Sequence, residues 1–211
     1  MTIISHRGLW NKCNEKNTMK AFRQSFKNNF GVETDLRDML EQVVISHDVS
    51  NSGCLTLGDF FTLYKRFSNK FPLALNIKAD GLQRILKEFL EKYDVDNYFV
   101  FDMSVPDALL YIKAGFNVFT RQSEYEKQPS FYNEACGVWM DEFYEHWINE
   151  KIIREHLENN KKICIVSPEL HKRDFKKEWQ EYKEIFKKLD RGDSLMLCTD
   201  YPIQAREFFN V

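Results

Sequence analysis

Eight short runs of β-branched or aromatic residues, each followed by an amphipathic stretch, predict a single (β/α)8 barrel over residues 1–211. Two further observations point the same way. The runs are almost continuously apolar, as strands buried on both faces are. No composition break, Pro/Gly linker, low-complexity tract or fixed-period repeat divides the chain. A doubly wound open sheet shares this alternation, and periodicity does not separate the two. With 211 residues against the roughly 250 of a typical barrel, the connecting loops must be brief.

The strand runs, in order, are Thr2–Ser5, Gly31–Leu36, Leu73–Ile77, Tyr98–Asp102, Phe116–Thr120, Gly137–Asp141, Ile163–Ser167 and Leu195–Thr199. Val43–Ser46 is an additional short run, read as a hairpin extension because no helix fits between it and the second strand. The gaps carry helical spacing. Thr18–Asn29 sets Phe22 and Phe26 at i, i+4, and Leu82–Tyr93 aligns Leu82, Ile85, Leu86, Phe89 and Leu90 in one stripe. Asp59–Phe67, Pro106–Lys113 and Phe175–Leu189 follow the same rule. His146 and His156 are read as structural histidines in helical stretches. Pro106 opens a helix, Gly115 closes one, and Gly192 precedes the last strand. The Lys-rich stretch 172–188 alternates with Glu and aromatics as a solvated outer helix face does.

Composition narrows the function. Hydrophobic residues at 43% and aromatics at 15% suffice for a large core. The 30 Lys and Arg are balanced by 32 Asp and Glu, a formal charge of -2, which lacks the cationic excess of a nucleic-acid binder. No apolar run approaches the roughly 18–20 residues of a membrane span, so no stable membrane insertion is expected. Five cysteines without a C-x-x-C pair suit neither a disulfide scaffold nor a zinc ribbon, and no secretory signal is recognisable. A reduced, cytoplasmic globular protein is expected; its oligomeric state is not legible.

In a barrel of this kind the chemistry lies at the C-terminal ends of the strands. Those ends carry Ser5-His6-Arg7-Gly8, Glu33-Thr34-Asp35, Ser46-His47-Asp48, Asn76-Ile77-Lys78, Asp102, Arg121, Asp141-Glu142, Glu169 and Asp200. Glu33 and Asp35 stand two apart on one strand and therefore share a face. Adjacent carboxylates repel unless a cation lies between them, and their hard oxygens suit Mg²⁺ or Ca²⁺. His6 and His47 end neighbouring runs, an arrangement suited to acid–base catalysis near neutral pH. Arg7 and Lys78 add the positive charge that a phosphodiester's oxygens need.

The set Ile4-Ser5-His6-Arg7-Gly8, Asn17-Thr18 with Ala21-Phe22, Gly31-Val32-Glu33-Thr34-Asp35, Ser46-His47-Asp48 and the late Thr199-Asp200-Tyr201-Pro202 resembles the glycerophosphodiester phosphodiesterase signature. The resemblance implies a barrel of the phospholipase-C-like phosphodiesterase superfamily that uses one divalent cation, Mg²⁺ or Ca²⁺. Its small-molecule substrate would be a glycerophosphodiester or a related polyol or sugar phosphodiester, cleaved to glycerol 3-phosphate and an alcohol, in lipid and glycerol metabolism. Carried over by position, it makes His6 and His47 the acid–base pair, Arg7 and Lys78 the phosphate binders, and Glu33, Asp35 and Asn76 the metal set. A cyclic-phosphate product and a catalytically weak phosphate-binding module are the alternatives.

The chain departs from that pattern in three places. The third metal carboxylate, the Glu of E-x-K, is Asn76; Asp102 and Glu142 are the carboxylates that could substitute. The Glu of P-E-N-T is displaced to Glu15 or replaced by Lys16. The segment from Asp48 to Leu73 is too short for a capping insertion, which implies an open site. Further candidates for substrate contact are Arg121, with a loop ion pair as the equal alternative, and Trp139 beside Phe143, as an aromatic wall for a cationic head group or as barrel packing. Glu169, with His171 nearby, ends the seventh strand where barrels often bind phosphate.

Overall fold

The computed structural model describes residues 1–67, 70–189 and 194–211; Gly192 lies outside them. Two compact units emerge, one formed by residues 5–118 and one by residues 1–4 and 119–211. Their border falls within β1 (Thr2–His6).

In the unit of residues 5–118, β2 (Gly31–Met39) pairs in parallel with β5 (Leu73–Ile77), and β5 pairs in parallel with β6 (Tyr98–Phe101). The expected hairpin is present. β2 continues three residues past Leu36 and turns back antiparallel into β3 (Gln42–Ile45), which pairs with the two-residue β4 (Leu55–Thr56). Helices α1 (Met19–Lys27), α2 (Leu57–Lys65), α3 (Gln83–Tyr93) and α4 (Val105–Lys113) cover the sheet. Three of the four starts are set by hydroxyl caps: Thr18, Thr56 and Ser104 accept from the amides of Ala21, Asp59 and Asp107 at α1, α2 and α4. The core joins Phe22 and Phe26 of α1 to Phe60 and Tyr64 of α2 over Val32, Leu36, Leu73 and Leu75, with the Phe22 and Phe60 rings edge-to-face at 4.6 Å. After the hairpin, the described residues of the connection to β5 hold β4 and α2 as their regular elements.

In the other unit, β7 (Phe119–Gln122), β8 (Gly137–Met140), β9 (Lys162–Val166) and β10 (Leu195–Thr199) pair in parallel and in sequence. Helices α5 (Glu150–Glu158), α6 (Lys176–Lys188) and α7 (Pro202–Phe209) follow β8, β9 and β10. Trp179 of α6 is buried among Phe175, Phe208 and Phe209, and its indole N–H donates to Ser167 Oγ at 2.7 Å. The chain from β7 to β8 has no α-helix among its described residues.

Two expectations are corrected. The fifth strand starts at Phe119, three residues later than its apolar run, because Phe116 closes α4 instead: its amide donates to Tyr111 O and its ring meets Tyr111 at 4.9 Å. His146 lies in a loop, not a helix. The amides of 143–145 donate to the Glu124 carboxylate, and those of Trp147 and Ile148 to Glu142 Oε1, so they are unavailable to a helical ladder. His156 does lie in α5, buried and bonded to Tyr132 and Gln122.

Candidate active site

The turn after β1 is built by its glycine. Arg7 and Gly8 both have positive φ (58° and 87°), and a Cβ on Gly8 would come within 2.8 Å of Ala21. The turn therefore lies flat on the start of α1, and Leu9 N donates to Ala21 O. This fixes Arg7 over β2. Its amide donates to Glu33 O at 2.9 Å and faces Glu33 Oε2 at 3.2 Å, and its guanidinium forms an ion pair with Asp35 at 2.9 Å.

Parallel pairing does the rest. Asp35 on β2 stands opposite Asn76 on β5, and Glu33 shares the face of Asp35. Glu33, Asp35 and Asn76 are all buried. Asn76 Nδ2 donates to Glu33 Oε1 at 3.4 Å, and His6 Nε2 lies 3.9 Å from Glu33 Oε2. Lys78, two residues beyond Asn76, reaches Asp102 at 3.2 Å and Asp35 at 3.7 Å. Five of the residues expected to act together, His6, Arg7, Glu33, Asp35 and Asn76, thus form one cluster, with Lys78 and Asp102 at its side. His47 is placed differently: half-exposed after β3, its Nδ1 is 2.9 Å from the Asp48 carboxylate.

The cluster's electrostatics follow from burial. Glu33 is pushed up to about 8, first by desolvation and then by the Asp35 charge, against the pull of Arg7 and Lys78. Asp35 Oδ1 and Asn76 Oδ1 are buried without a hydrogen-bond donor. Hard oxygens held together in this way, two of them lacking donors, fit a divalent cation, and the neutral amide at 76 lowers the charge such an ion would meet.

Two nearby residues had no role assigned from sequence. Asn17, itself at positive φ, donates from Nδ2 to Asp35 Oδ2 at 2.9 Å and accepts from Thr34 Oγ1 at 2.9 Å, so the N-T motif orients a carboxylate as well as capping α1. Arg37, two beyond Asp35 on the same strand face, donates from Nη2 to the His47 carbonyl at 3.2 Å. The i, i+2 spacing from Asp35 was the available signal for Arg37. The displaced Glu15 accepts from Lys20 and from the Asn11 amide at the surface, outside the cluster.

The remaining candidates belong to the other unit. Arg121 forms its loop ion pair with Glu126 and lies 6.0 Å from the Phe143 ring. Trp139 is buried at 5% exposure. The Phe143 ring meets those of Tyr125 and His171 at a tilt, and His171 meets Asp141 at 2.6 Å. Glu169 accepts from the Ser167 and Thr199 hydroxyls and the Asp200 amide, and burial raises its pKa. Glu142 accepts from Trp147 N, Ile148 N and Tyr182 OH and pairs with His146 and Arg173. Glu142, His146 and Glu178 bring ligand atoms within 4.8 Å of one another, but Arg173 already supplies a cation to both carboxylates, so the group reads as an anchor for the 143–148 loop. Burial, then Glu142, pushes Glu178 up to about 7.

No protein-family model matches the sequence, and no curated protein matches it. Solved structures do. One is a glycerophosphodiester phosphodiesterase from Parabacteroides distasonis, with a TM-score of 0.72 and 13% identity, covering 99% of this chain and 96% of that one. A phosphodiesterase from Oleispira antarctica, solved with its product sn-glycerol-3-phosphate, gives 0.69 and 13% over 100% and 97%. A Ca²⁺-dependent phosphatidylinositol-specific phospholipase C from Streptomyces antibioticus gives 0.60 and 9% over 99% and 95%. Agreement this complete, on strands that carry their polar residues at the C-terminal ends, shows that the chain has the (β/α)8 barrel fold of the glycerophosphodiester phosphodiesterases.

Proposed function

We propose that the protein is a phosphoric diester hydrolase that cleaves a glycerophosphodiester, or a related polyol or sugar phosphodiester, to glycerol 3-phosphate and an alcohol. The observation that carries this reading is the buried set Glu33, Asp35 and Asn76 on paired strands, flanked by His6, Arg7 and Lys78. The likeness to glycerophosphodiester phosphodiesterases, one of them solved with glycerol 3-phosphate, supports the substrate class.

Glu33, Asp35 and Asn76 would hold the divalent cation, Mg²⁺ or Ca²⁺, and when bound it supplies positive charge to a phosphoryl oxygen. Arg7 and Lys78 bind the phosphate and stabilise the charge gathering on its oxygens. Asn17 holds Asp35 in place. One of His6 and His47 takes the proton from the attacking hydroxyl and the other protonates the departing alkoxide as the P–O bond breaks; attack by water gives glycerol 3-phosphate directly, and attack by the substrate's own hydroxyl gives a cyclic phosphate that water must then open. The exposed position of His47 suits the half of the reaction that faces solvent. No helix among the described residues is long and apolar enough to cross a membrane.

Phosphorus NMR of the protein with a panel of glycerophosphodiesters tests this. A monoester signal is expected with Mg²⁺ or Ca²⁺, absent with chelator and reduced about 10²–10⁴-fold in His6→Ala. A persistent cyclic phosphate would replace hydrolysis by cyclisation, and no turnover of any member would overturn the enzymatic reading.

A further inference from the structure

Three basic side chains attend the cluster, and they are not equivalent. Arg7 is matched by Asp35, and Lys78 by Asp102 and Asp35. Arg37 makes no ion pair among the described residues; its one hydrogen bond goes from Nη2 to the His47 carbonyl. Its Nε–H is buried without an acceptor. A buried donor left unpaired is costly, and a guanidinium presents its donors as a planar fork that matches a carboxylate or phosphate. The backbone keeps this group at the site. Arg37 continues the β2 face that carries Glu33 and Asp35, and the hairpin pairs it with Val44, three residues before His47.

We propose that Arg37 is a specificity-determining residue that binds an anionic group on the departing alcohol, so that the preferred substrate is a phosphodiester whose alcohol carries a carboxylate or a second phosphate. This rests on the phosphodiesterase reading. In such a substrate the glycerol is neutral, and the proposed function gives the single phosphate charge to Arg7 and Lys78, which stand beside the Asp35 carboxylate. Only the alcohol can bring a further negative charge to an unmatched guanidinium. The hydrogen bond to the His47 carbonyl places that guanidinium beside the exposed histidine.

Glycerophosphoserine and glycerophosphoethanolamine differ by one carboxylate and form the matched pair for the test. Binding is measured by calorimetry with Ca²⁺ in the His6→Ala protein, where turnover is slow. The serine diester is expected to bind at least about tenfold more tightly, the range of one charge-assisted hydrogen bond. Adding Arg37→Gln, which keeps a donor for the His47 carbonyl, is expected to bring the ratio of the two affinities to within about twofold; adding Arg37→Lys, which keeps the charge, should preserve more of it. A ratio near one while Arg37 is present, a ratio that Arg37→Gln leaves unchanged, or binding of neither diester overturns the proposal. Discrimination that depends on Arg37, in a protein whose wild type hydrolyses neither diester, would overturn the phosphodiesterase reading alone.

Discussion

Asp35 on β2 and Asn76 on β5 are register partners, and each presents a buried oxygen that no hydrogen-bond donor reaches. Lys78 Nζ stands 3.7 Å from the Asp35 oxygen, beyond hydrogen-bond reach, and buried acceptors without donors are costly unless positive charge lies against them.

Restoring the carboxylate at 76 should therefore change cation binding. Asn76→Glu is expected to tighten Ca²⁺ or Mg²⁺ binding about tenfold or more, equivalent to roughly 1.4 kcal/mol of added attraction. The same variant should melt lower in chelator, because a third buried carboxylate then joins Glu33 and Asp35 uncompensated. Calorimetric titration and melting with and without metal check both. Unchanged affinity would place position 76 outside the cation's ligands.

Stability should carry the mark of Glu33. Its folded-state pKa of about 8 lies above the ordinary 4.5, so between those values the folded protein holds a proton that the unfolded chain releases. Stability from this group is therefore lost as pH rises from about 4.5 to about 8, then stays level. Glu33→Gln removes the loss. In chelator the variant should match the wild type near pH 4 and exceed it by an order of a few kcal/mol near pH 9, measured by denaturant unfolding. A variant less stable than wild type at the higher pH would refute the protonated carboxyl.

Gly8→Ala tests the turn that sets Arg7. A positive φ of 87° and a Cβ 2.8 Å from Ala21 combine backbone strain with overlap against helix backbone. The expected cost is about 2–4 kcal/mol, seen as a melting temperature lower by roughly 5–15 °C. Phosphodiesterase activity should fall as well, since Arg7 is carried by the same turn. An unchanged melting temperature would show that α1 yields.

Much of the fold was legible because it depends on local periodicity. The runs Leu73–Ile77 and Leu195–Thr199 became strands over those residues, and Thr18 capped the helix it precedes. Phe116 misled because an aromatic after a helix can close that helix as readily as begin a strand. His146 misled because its neighbours' amides bond to Glu124 and Glu142, carboxylates distant in sequence by up to 21 residues. The P-N1 start of α7 at Pro202 was present in the sequence but was read only as a motif.

The sequence by itself determined the strand–helix order, the hairpin after β2, and the pairing of Glu33 with Asp35 on one face, since a two-residue period dictates that geometry wherever the strand lies. Only the tertiary structure decided which residues meet across strands. Parallel register set Asn76 opposite Asp35, and the left-handed turn at Arg7 and Gly8 brought a guanidinium to the same carboxylate. The loop after β8 folded its own amides onto the Glu142 carboxylate. Register, turn geometry and the competition for buried hydrogen bonds arise from contacts between distant segments, and a linear pattern does not encode them.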